Sequence, residues 1–278
     1  MSTPPGALSS ADIITVLRAA SCVFAEDEAR LLIDAAQTPA DLAAMVDKRT
    51  EGLPLEHVLG WAEFCGLRIT VEPGVFVPRR RTEFLVRQAV DLVSARVRAV
   101  IVDLCCGSGA LGVAVATALR EPELHATDIE PAAVRCARRN LVAVGGSAYL
   151  GDLHGPLPAR LRGSVDVLVA NVPYVPTDAV AMLPPEARDY EPRVALDGGE
   201  DGLDVLRRVA AEAPRWLAPC GHLLIETSES QAPQALEAFA RNGLSPRVSH
   251  CEESNTTVVI ATAAAAAPRE PNVAFGAI

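Results

Sequence analysis

The spacing of apolar residues changes along the chain and divides it into an N-terminal and a C-terminal part. In the first part, apolar residues recur three or four positions apart, as on one face of a helix. From residue 98 onward, short apolar runs of strand length alternate with helical segments. This alternation is typical of a parallel sheet with connecting helices, so the sequence predicts an α/β fold for the C-terminal part.

Three helices are predicted in the N-terminal part, because residues that favour helix starts precede the apolar periodicity. Ser9 and Ser10 are suitable N-cap residues, and Pro39 suits the first turn of a helix. The predicted helices cover residues 11–20, 25–36 and 38–49. Residues 1–7 are expected to be disordered. We interpret residues 1–60 as a helical domain that recognises a substrate, covers the site as a lid, or serves only as a structural bundle.

A β-hairpin is predicted over residues 61–78, where it links the helices to the C-terminal part. Phe64 and Leu67 lie in two short apolar runs that turn at Gly66. Three consecutive arginines follow at residues 79–81. Such a run is typical of a solvated helix start, but its position before the C-terminal domain also permits contact with a substrate.

The C-terminal domain, residues 79–262, is predicted to be a doubly wound parallel sheet. Parallel strands are predicted over residues 100–104, 124–127, 147–150, 165–170 and 223–226, and a final antiparallel pair around residues 248 and 258–260. Helices are predicted up to residue 119 and over residues 131–144, 203–217 and 231–242. The alanine-rich residues 263–278 are expected to form a disordered tail.

Composition argues against several classes of function. The chain has 25 basic and 35 acidic residues, and this net charge of −10 argues against a nucleic-acid partner. Seven cysteines without a Cys-x-x-Cys pair and five scattered histidines predict no metal site and fit a reducing cytoplasm. The N-terminus has no secretory signal pattern, and no apolar run is long enough for a membrane span, so we expect a cytoplasmic protein without membrane contact.

A polar tetrad, Asn-Val-Pro-Tyr at residues 171–174, ends the strand predicted over residues 165–170. Pro173 cannot continue the strand, so its neighbours lie at the sheet edge where α/β proteins bind ligands. The side-chain carbonyl of Asn171 and the backbone carbonyl of Val172 are two acceptors that can hold both hydrogens of an –NH2 group. Tyr174 can pack on that flat group or attract a sulfonium methyl. For the tetrad alone, a strand end followed by a polar turn is the favoured interpretation, and the glycine loop upstream changes this balance.

A glycine loop at residues 107–112 matches the pattern G-x-G-x-x-G, and Asp128 follows at the spacing of a ribose-binding acid. A nicotinamide or flavin enzyme is therefore one interpretation. S-adenosylmethionine is favoured because Asp103 precedes the loop, where it can hold a methionine amino group, and Asp152 can accept from an adenine amine. A dehydrogenase would not need the tetrad. The candidate cofactor-binding residues are Asp103, Cys105, Gly107, Ser108, Gly109, Asp128, Ile129, Asp152, Leu153 and Asn171.

Five segments in chain order resemble the HemK/PrmC-type protein-glutamine methyltransferases, which methylate a glutamine side-chain amide in peptide-chain release factors. The segments are residues 54–60, 76–83, 103–109, 171–174 and 190–196. The resemblance implies a class I S-adenosylmethionine-dependent methyltransferase. Its fold is Rossmann-like, with a mostly parallel sheet and an antiparallel last strand, preceded by a helical domain and a hairpin linker. It also implies a protein substrate, with a release factor as candidate, and catalytic roles for Asn171, Val172, Pro173 and Tyr174.

The chain departs from the family pattern at three places. Val172 stands where the family has its first proline, and Arg80 and Arg81 replace a proline and usually an acid. Residues 252–257 replace a segment that usually contains arginine. These differences suggest a paralogous branch. Two alternatives therefore stay open: a methyltransferase of another amine or amide, in a metabolite or DNA base, and a binding protein of the same fold without turnover. Cysteines 105 and 106 are interpreted as packing residues, since direct methyl transfer needs no nucleophilic thiol.

Overall fold

The computed structural model describes residues 8–266. The disorder expected for residues 1–7, and for residues 267–278 of the C-terminal tail, therefore falls outside the described residues. Within residues 8–266, no helix combines the length and apolar character needed to cross a membrane.

The N-terminal part, from residue 8 onward, forms four helices: α1 (Ser10–Ala19), α2 (Ala25–Ala35), α3 (Pro39–Thr50) and α4 (Leu55–Leu59). The side chain of Ser9 caps α1 by accepting from the Asp12 N–H, as the sequence predicted. The single turn of α4 was not predicted. The helices enclose their own small apolar cluster, which includes Ile13, Leu17 and Leu32.

A short antiparallel hairpin follows, formed by β1 (Trp61–Phe64) and β2 (Leu67–Thr70). Its turn contains Cys65 and Gly66, both with positive φ. The chain then runs without regular structure to Arg79 and enters α5 (Glu83–Val93) through one 3-10 turn, Arg80–Thr82.

A seven-stranded sheet forms the described C-terminal domain. Its strands are β3 (Val100–Leu104), β4 (Glu123–Asp128), β5 (Ser147–Leu150), β6 (Val165–Ala170), β7 (Leu217–Thr227), β8 (Ser245–Cys251) and β9 (Thr256–Thr262). They lie in the order β5-β4-β3-β6-β7-β9-β8. The first five are parallel, and β9 runs antiparallel to β7 and β8, as predicted. The remaining helices are α6 (Ala110–Thr117), α7 (Pro131–Leu141), α8 (Pro185–Tyr190), α9 (Asp204–Glu212) and α10 (Ala232–Arg241).

The helix predicted over residues 203–217 is too long. Helix α9 ends at Glu212, and a 3-10 turn with Pro214 follows. Leu217 already belongs to β7, where it pairs with Val165 of β6. Ala213, Trp216 and Leu217 continue the apolar periodicity of α9, so the pattern alone does not mark the change from helix to strand.

The sheet has a topological switch between β3 and β6. The chain leaves β3 toward β4 on one side, and it returns to β6 on the other side. Apolar clusters cover both faces of the sheet, and β6 is almost fully buried between them. Ligands of open α/β sheets bind at the carboxyl ends of the strands beside such a switch. This position is where the predicted site residues meet.

Candidate active site

A cavity of about 420 Å³ opens at the carboxyl ends of β3, β4 and β6. All but one of the predicted site residues line it. These are Asp103, Cys105, Gly107, Ser108, Asp128, Ile129, Asp152, Leu153, Asn171, Val172, Pro173 and Tyr174. Further walls come from the hairpin linker and from the segment after the tetrad, which includes Leu183 and Glu186. The sheet therefore assembles in one cavity residues that are far apart in the sequence.

Gly109 is the predicted residue that does not line this cavity. It precedes α6 with φ of +77°, and a Cβ there would lie 2.6 Å from the Leu141 side chain. Glycine is required because the backbone is left-handed and helix α7 packs directly beneath it. Gly109 therefore contributes to the conformation of the glycine loop without lining the cavity.

Asp103 lies at the end of β3 and is 1% exposed. Its Oδ2 accepts a hydrogen bond from the Gly112 N–H at 2.8 Å, which ties the strand to the first turn of α6. Burial raises the pKa of Asp103 to about 7. A buried carboxylate that accepts from one backbone donor among the described residues suits a cationic ligand group such as an ammonium.

Asp128 ends β4 and fixes the glycine loop. Its Oδ2 accepts from the Gly107 N–H at 2.8 Å, and its Oδ1 accepts from the Glu130 N–H at 2.9 Å. Burial raises the pKa of Asp128 although both bonds favour the carboxylate. Each carboxylate oxygen can accept a second hydrogen bond, so Asp128 can also hold the hydroxyl groups of a ligand.

Asp152 lies at the outer end of the cavity, after β5. Its side chain is about half exposed and forms an ion pair with Arg208 of α9, a cavity residue that the sequence did not indicate. Ile129 and Leu153 line the same end, and Ile129 is 50% exposed. An apolar surface beside a polar acceptor suits a flat heterocycle with an exocyclic amine.

The thiols of Cys105 and Cys106 are held in the protonated form. Burial raises the pKa of both, and the carboxylates of Asp103 and Asp128 raise it further. Because the thiolate is the reactive form of cysteine, these residues are not suited to be nucleophiles. This agrees with their interpretation as packing residues.

The tetrad presents an unpaired acceptor to the cavity. The Asn171 side-chain oxygen is buried and has no hydrogen-bond partner among the described residues. Buried polar atoms are normally paired, and a buried acceptor without a partner costs free energy. A ligand N–H that enters the cavity would satisfy this oxygen.

The backbone behind the tetrad is held by residues that the sequence analysis missed. Gln231 donates from Nε2 to the carbonyl of Tyr174 at 2.9 Å. Gly202 has φ of +76°, and a Cβ there would lie 2.2 Å from the same carbonyl, so only glycine fits. The cluster Gly-Gly-x-x-Gly at residues 198–202 was the sequence signal for this close backbone approach.

An ion pair joins two of the family-like segments at the cavity wall. Arg79 contacts both carboxylate oxygens of Glu191 at 2.7 Å, and the same carboxylate accepts from the Val77 N–H at 3.0 Å. The Glu191 side chain is fully buried. This ion pair, in which one guanidinium nitrogen contacts both carboxylate oxygens, fixes the linker against the segment that follows the tetrad.

Comparison with known proteins agrees with this geometry. A family model described as "Methyltransferase small domain" matches residues 66–183. Ribosomal protein L11 methylase from Lactobacillus delbrueckii subsp. bulgaricus superposes with a TM-score of 0.51 at 16% identity, covering 70% of this chain and 85% of that one. This likeness shows the fold alone, and it confirms the predicted class I methyltransferase fold.

Two curated relatives are similar over most of the chain. The "Release factor glutamine methyltransferase" of Geobacter sulfurreducens is 40% identical over 210 residues, which are 74% of this chain and 72% of the relative. The "4-amino-L-phenylalanine/4-methylamino-L-phenylalanine methyltransferase" of Streptomyces pristinaespiralis is 35% identical over 76% of this chain and 72% of that protein. The five ordered segments named above agree with the first match. The identity and extent of that match show that the chain belongs to the release factor glutamine methyltransferase family.

Proposed function

We propose that this protein is an S-adenosylmethionine-dependent methyltransferase that acts on the side-chain amide of a glutamine in a peptide-chain release factor. The observation that carries the proposal is the buried, unpaired oxygen of Asn171 in a cavity that also contains three strand-end acids. Family membership supports the same activity.

The residues around the cavity suit S-adenosylmethionine, which supplies an electrophilic methyl group when bound. Asp103 has the charge and burial to hold the amino group of its methionine part, and Asp128 can accept from the ribose hydroxyls. Asp152, with Ile129 and Leu153 beside it, would accommodate the adenine. Ser108 adds a buried hydroxyl without a partner among the described residues.

Orientation of the acceptor nitrogen is the main contribution of the tetrad. An amide nitrogen is a poor nucleophile because its lone pair is delocalised into the carbonyl group. Asn171 and the carbonyl of Val172 would each accept one hydrogen of the –NH2 group and thereby direct the nitrogen toward the methyl group. Positive charge that develops on nitrogen is stabilised by these two fixed dipoles. The proton can leave after the transfer, so no strong general base is required.

The site of action that we propose is the cytoplasm, where release factors work. All seven cysteines are free thiols in the structure, which suits a reducing compartment.

Mass spectrometry of a release factor tests the proposal. Purified release factor, enzyme and S-adenosylmethionine are incubated. The first candidate acceptor is the glutamine of a release factor's Gly-Gly-Gln loop, so the peptide with that loop is examined for the mass gain of one methyl group on glutamine. The Asn171→Ala variant serves as the negative control. An unmodified peptide after incubation with an enzyme that binds the cofactor would rule out this acceptor.

A second candidate acceptor is a small aromatic amine that carries an amino-acid group. The Streptomyces pristinaespiralis relative favours it, and so does Arg81 in the cavity wall, where a guanidinium could meet a carboxylate. 4-Amino-L-phenylalanine should therefore be assayed beside the release factor. Methylation of the small amine alone would replace the first proposal.

A further inference from the structure

Arg81 connects the tetrad to the end of β7. Its Nε donates to Oε1 of Glu226 at 3.0 Å, and its terminal nitrogen donates to the Tyr174 hydroxyl. Glu226 is 3% exposed, and its other carboxylate oxygen has no partner among the described residues. The Arg81 side chain is half exposed and lines the cavity. One guanidinium therefore neutralises a buried carboxylate and holds an aromatic ring of the site.

The backbone of Arg81 is also fixed. The Thr256 hydroxyl donates to the Arg81 carbonyl at 3.2 Å. Thr256 lies in the segment that departs from the family pattern, and so does Arg81. Two residues at which the chain departs from the family pattern, 175 positions apart in sequence, therefore contact each other at the cavity wall. An acid at position 81, the residue that the family pattern usually has, would place a second carboxylate near Glu226, and its carboxylate could not donate to a phenol oxygen.

Tyr174 is consequently held at both ends. Gln231 fixes its carbonyl at 2.9 Å, and Arg81 fixes its hydroxyl. Between these two bonds, its ring forms part of the cavity three positions after Asn171. A ring fixed in this way limits where a flat amide can lie when its nitrogen is bound to Asn171.

We propose that Arg81 is a positioning residue for the methyl acceptor, and that it acts by holding the Tyr174 ring against the acceptor nitrogen. The inference rests on the proposed function, because it concerns the acceptor part of the same site. Loss of the contact between Arg81 and Tyr174 then slows transfer without weakening cofactor binding, since reaction rates fall steeply when a reacting group is misplaced by about 1 Å.

The test separates this role from neutralisation of Glu226. Arg81→Met alone leaves a buried carboxylate without its cation and is expected to lower the melting temperature. The double variant Arg81→Met/Glu226→Gln removes that charge, so its melting temperature should recover. We expect kcat for the release factor to stay at least about tenfold low in the double variant, with an unchanged Kd for S-adenosylmethionine. Recovery of kcat with stability would overturn the proposal.

Tyr174→Phe provides the matching change on the other side of the contact. It removes only the hydroxyl that Arg81 holds, so it should reduce kcat to a similar extent. Addition of Tyr174→Phe to the double variant should cause little further loss, because both changes break one interaction. Full additivity would show that the two residues act independently. Arg80→Met is the control, since its side chain is 80% exposed and its nearest carboxylate, on Glu63, is 3.8 Å away.

An NMR measurement tests the contact between Arg81 and Tyr174 without requiring a methyl acceptor. In protein with ¹³C-labelled tyrosine, the ζ-carbon signal of Tyr174, assigned with Tyr174→Phe, should shift in the double variant and stay unchanged in Arg80→Met. An unshifted signal would overturn the contact itself. If wild-type enzyme does not methylate the release factor, the proposed function fails, and this signal alone decides whether Arg81 holds Tyr174.

Discussion

Arg49 of helix α3 contacts Glu186 of helix α8 at 2.7 Å, and this ion pair links the N-terminal helices to the wall of the cavity. Arg49 is 7% exposed, and its Nε also donates to Glu28 at 2.6 Å. Nearby, the Tyr190 hydroxyl donates to the carbonyl of Glu51. The helical domain is therefore attached to the segment that follows the tetrad, so a change in these helices can reach the acceptor side of the site.

Substitution of Arg49 is predicted to destabilise the protein strongly. Arg49→Met leaves Glu28 as a buried carboxylate without a cation, and such losses cost about 3–5 kcal/mol in free energy of unfolding. Urea denaturation measures the change. Arg30→Met is the matched control on α2, because its side chain is 69% exposed and its pair with Asp27 contributes little. Equal stability of the two variants would show that the buried pair has no such role.

Removal of the charge on Glu186 is predicted to change substrate binding more than stability. The Glu186 side chain is 47% exposed, so Glu186→Gln should cost less than about 1 kcal/mol. The segment that forms the cavity wall loses one of its attachments to α3, so KM for the acceptor should rise several-fold. Steady-state kinetics with varied release factor would show this, while varied cofactor should give an unchanged KM.

Asp128→Ala is predicted to weaken cofactor binding roughly 10- to 150-fold, as expected for a charge-assisted hydrogen bond worth about 1.5–3 kcal/mol. Isothermal titration calorimetry with S-adenosylmethionine measures the loss. Asp128 also holds the Gly107 N–H, so Asp128→Asn is the informative companion. The Asp128→Asn variant keeps one acceptor oxygen, and its affinity for S-adenosylmethionine should lie between those of the wild type and Asp128→Ala. Tight NADH binding by the wild type, with none of the sulfonium cofactor, would contradict the cofactor assignment.

The strand ends of the site were predictable from the sequence because they are local features. Asp103 and Asn171 each follow a run of apolar residues, Asp128 follows the strand predicted over residues 124–127, and parallel strands bring their carboxyl ends to one edge. The position of the cavity therefore follows from periodicity together with the rules of α/β topology.

The walls of the cavity were not predictable in this way. Arg79 and Glu191 are 112 residues apart, and nothing in the local pattern of either selects the other. The same holds for Arg49 with Glu186 and for Gln231 behind Tyr174. These contacts depend on how three separate segments fold over the sheet. The sequence shows that these segments carry charged side chains, but it does not determine which residues they pair with.

The pH dependence of cofactor binding is predicted to report on Asp103. Burial raises its pKa from 3.8 to about 7, so the carboxyl is largely protonated below pH 7 in the free protein. An ammonium group binds better to the carboxylate, so affinity for S-adenosylmethionine should fall as the pH drops below about 7, approaching tenfold per pH unit. Calorimetry in buffers with different ionisation enthalpies should detect proton release on binding. Asp103→Asn should bind more weakly, with a flat profile over the same range.

The same raised pKa has an opposite consequence for the stability of the free protein. The folded state binds the Asp103 proton more tightly than the unfolded state does. This contribution to the free energy of unfolding is therefore complete below about pH 4 and is lost as the pH rises through 7. Between these limits, Asp103→Asn should lose less stability with rising pH than the wild type. A parallel decline in both proteins would show that Asp103 ionises normally.

Asn171→Ala is predicted to separate catalysis from cofactor binding. The Asn171 oxygen is buried without a partner in the described structure, so its removal breaks no existing hydrogen bond of that oxygen and should leave the fold intact. Transfer should fall at least about a hundredfold, as when one preorganised polar group is removed from an active site, while cofactor affinity stays nearly unchanged.

Val172→Pro is the matched control within the tetrad, because the backbone carbonyl remains and only the side chain and the N–H change. It should retain activity. Single-turnover assays measure transfer, and calorimetry measures cofactor binding. Equal losses of binding and transfer in Asn171→Ala would make Asn171 mainly a cofactor contact. An inactive Val172→Pro would show that this loop requires a geometry that proline cannot adopt.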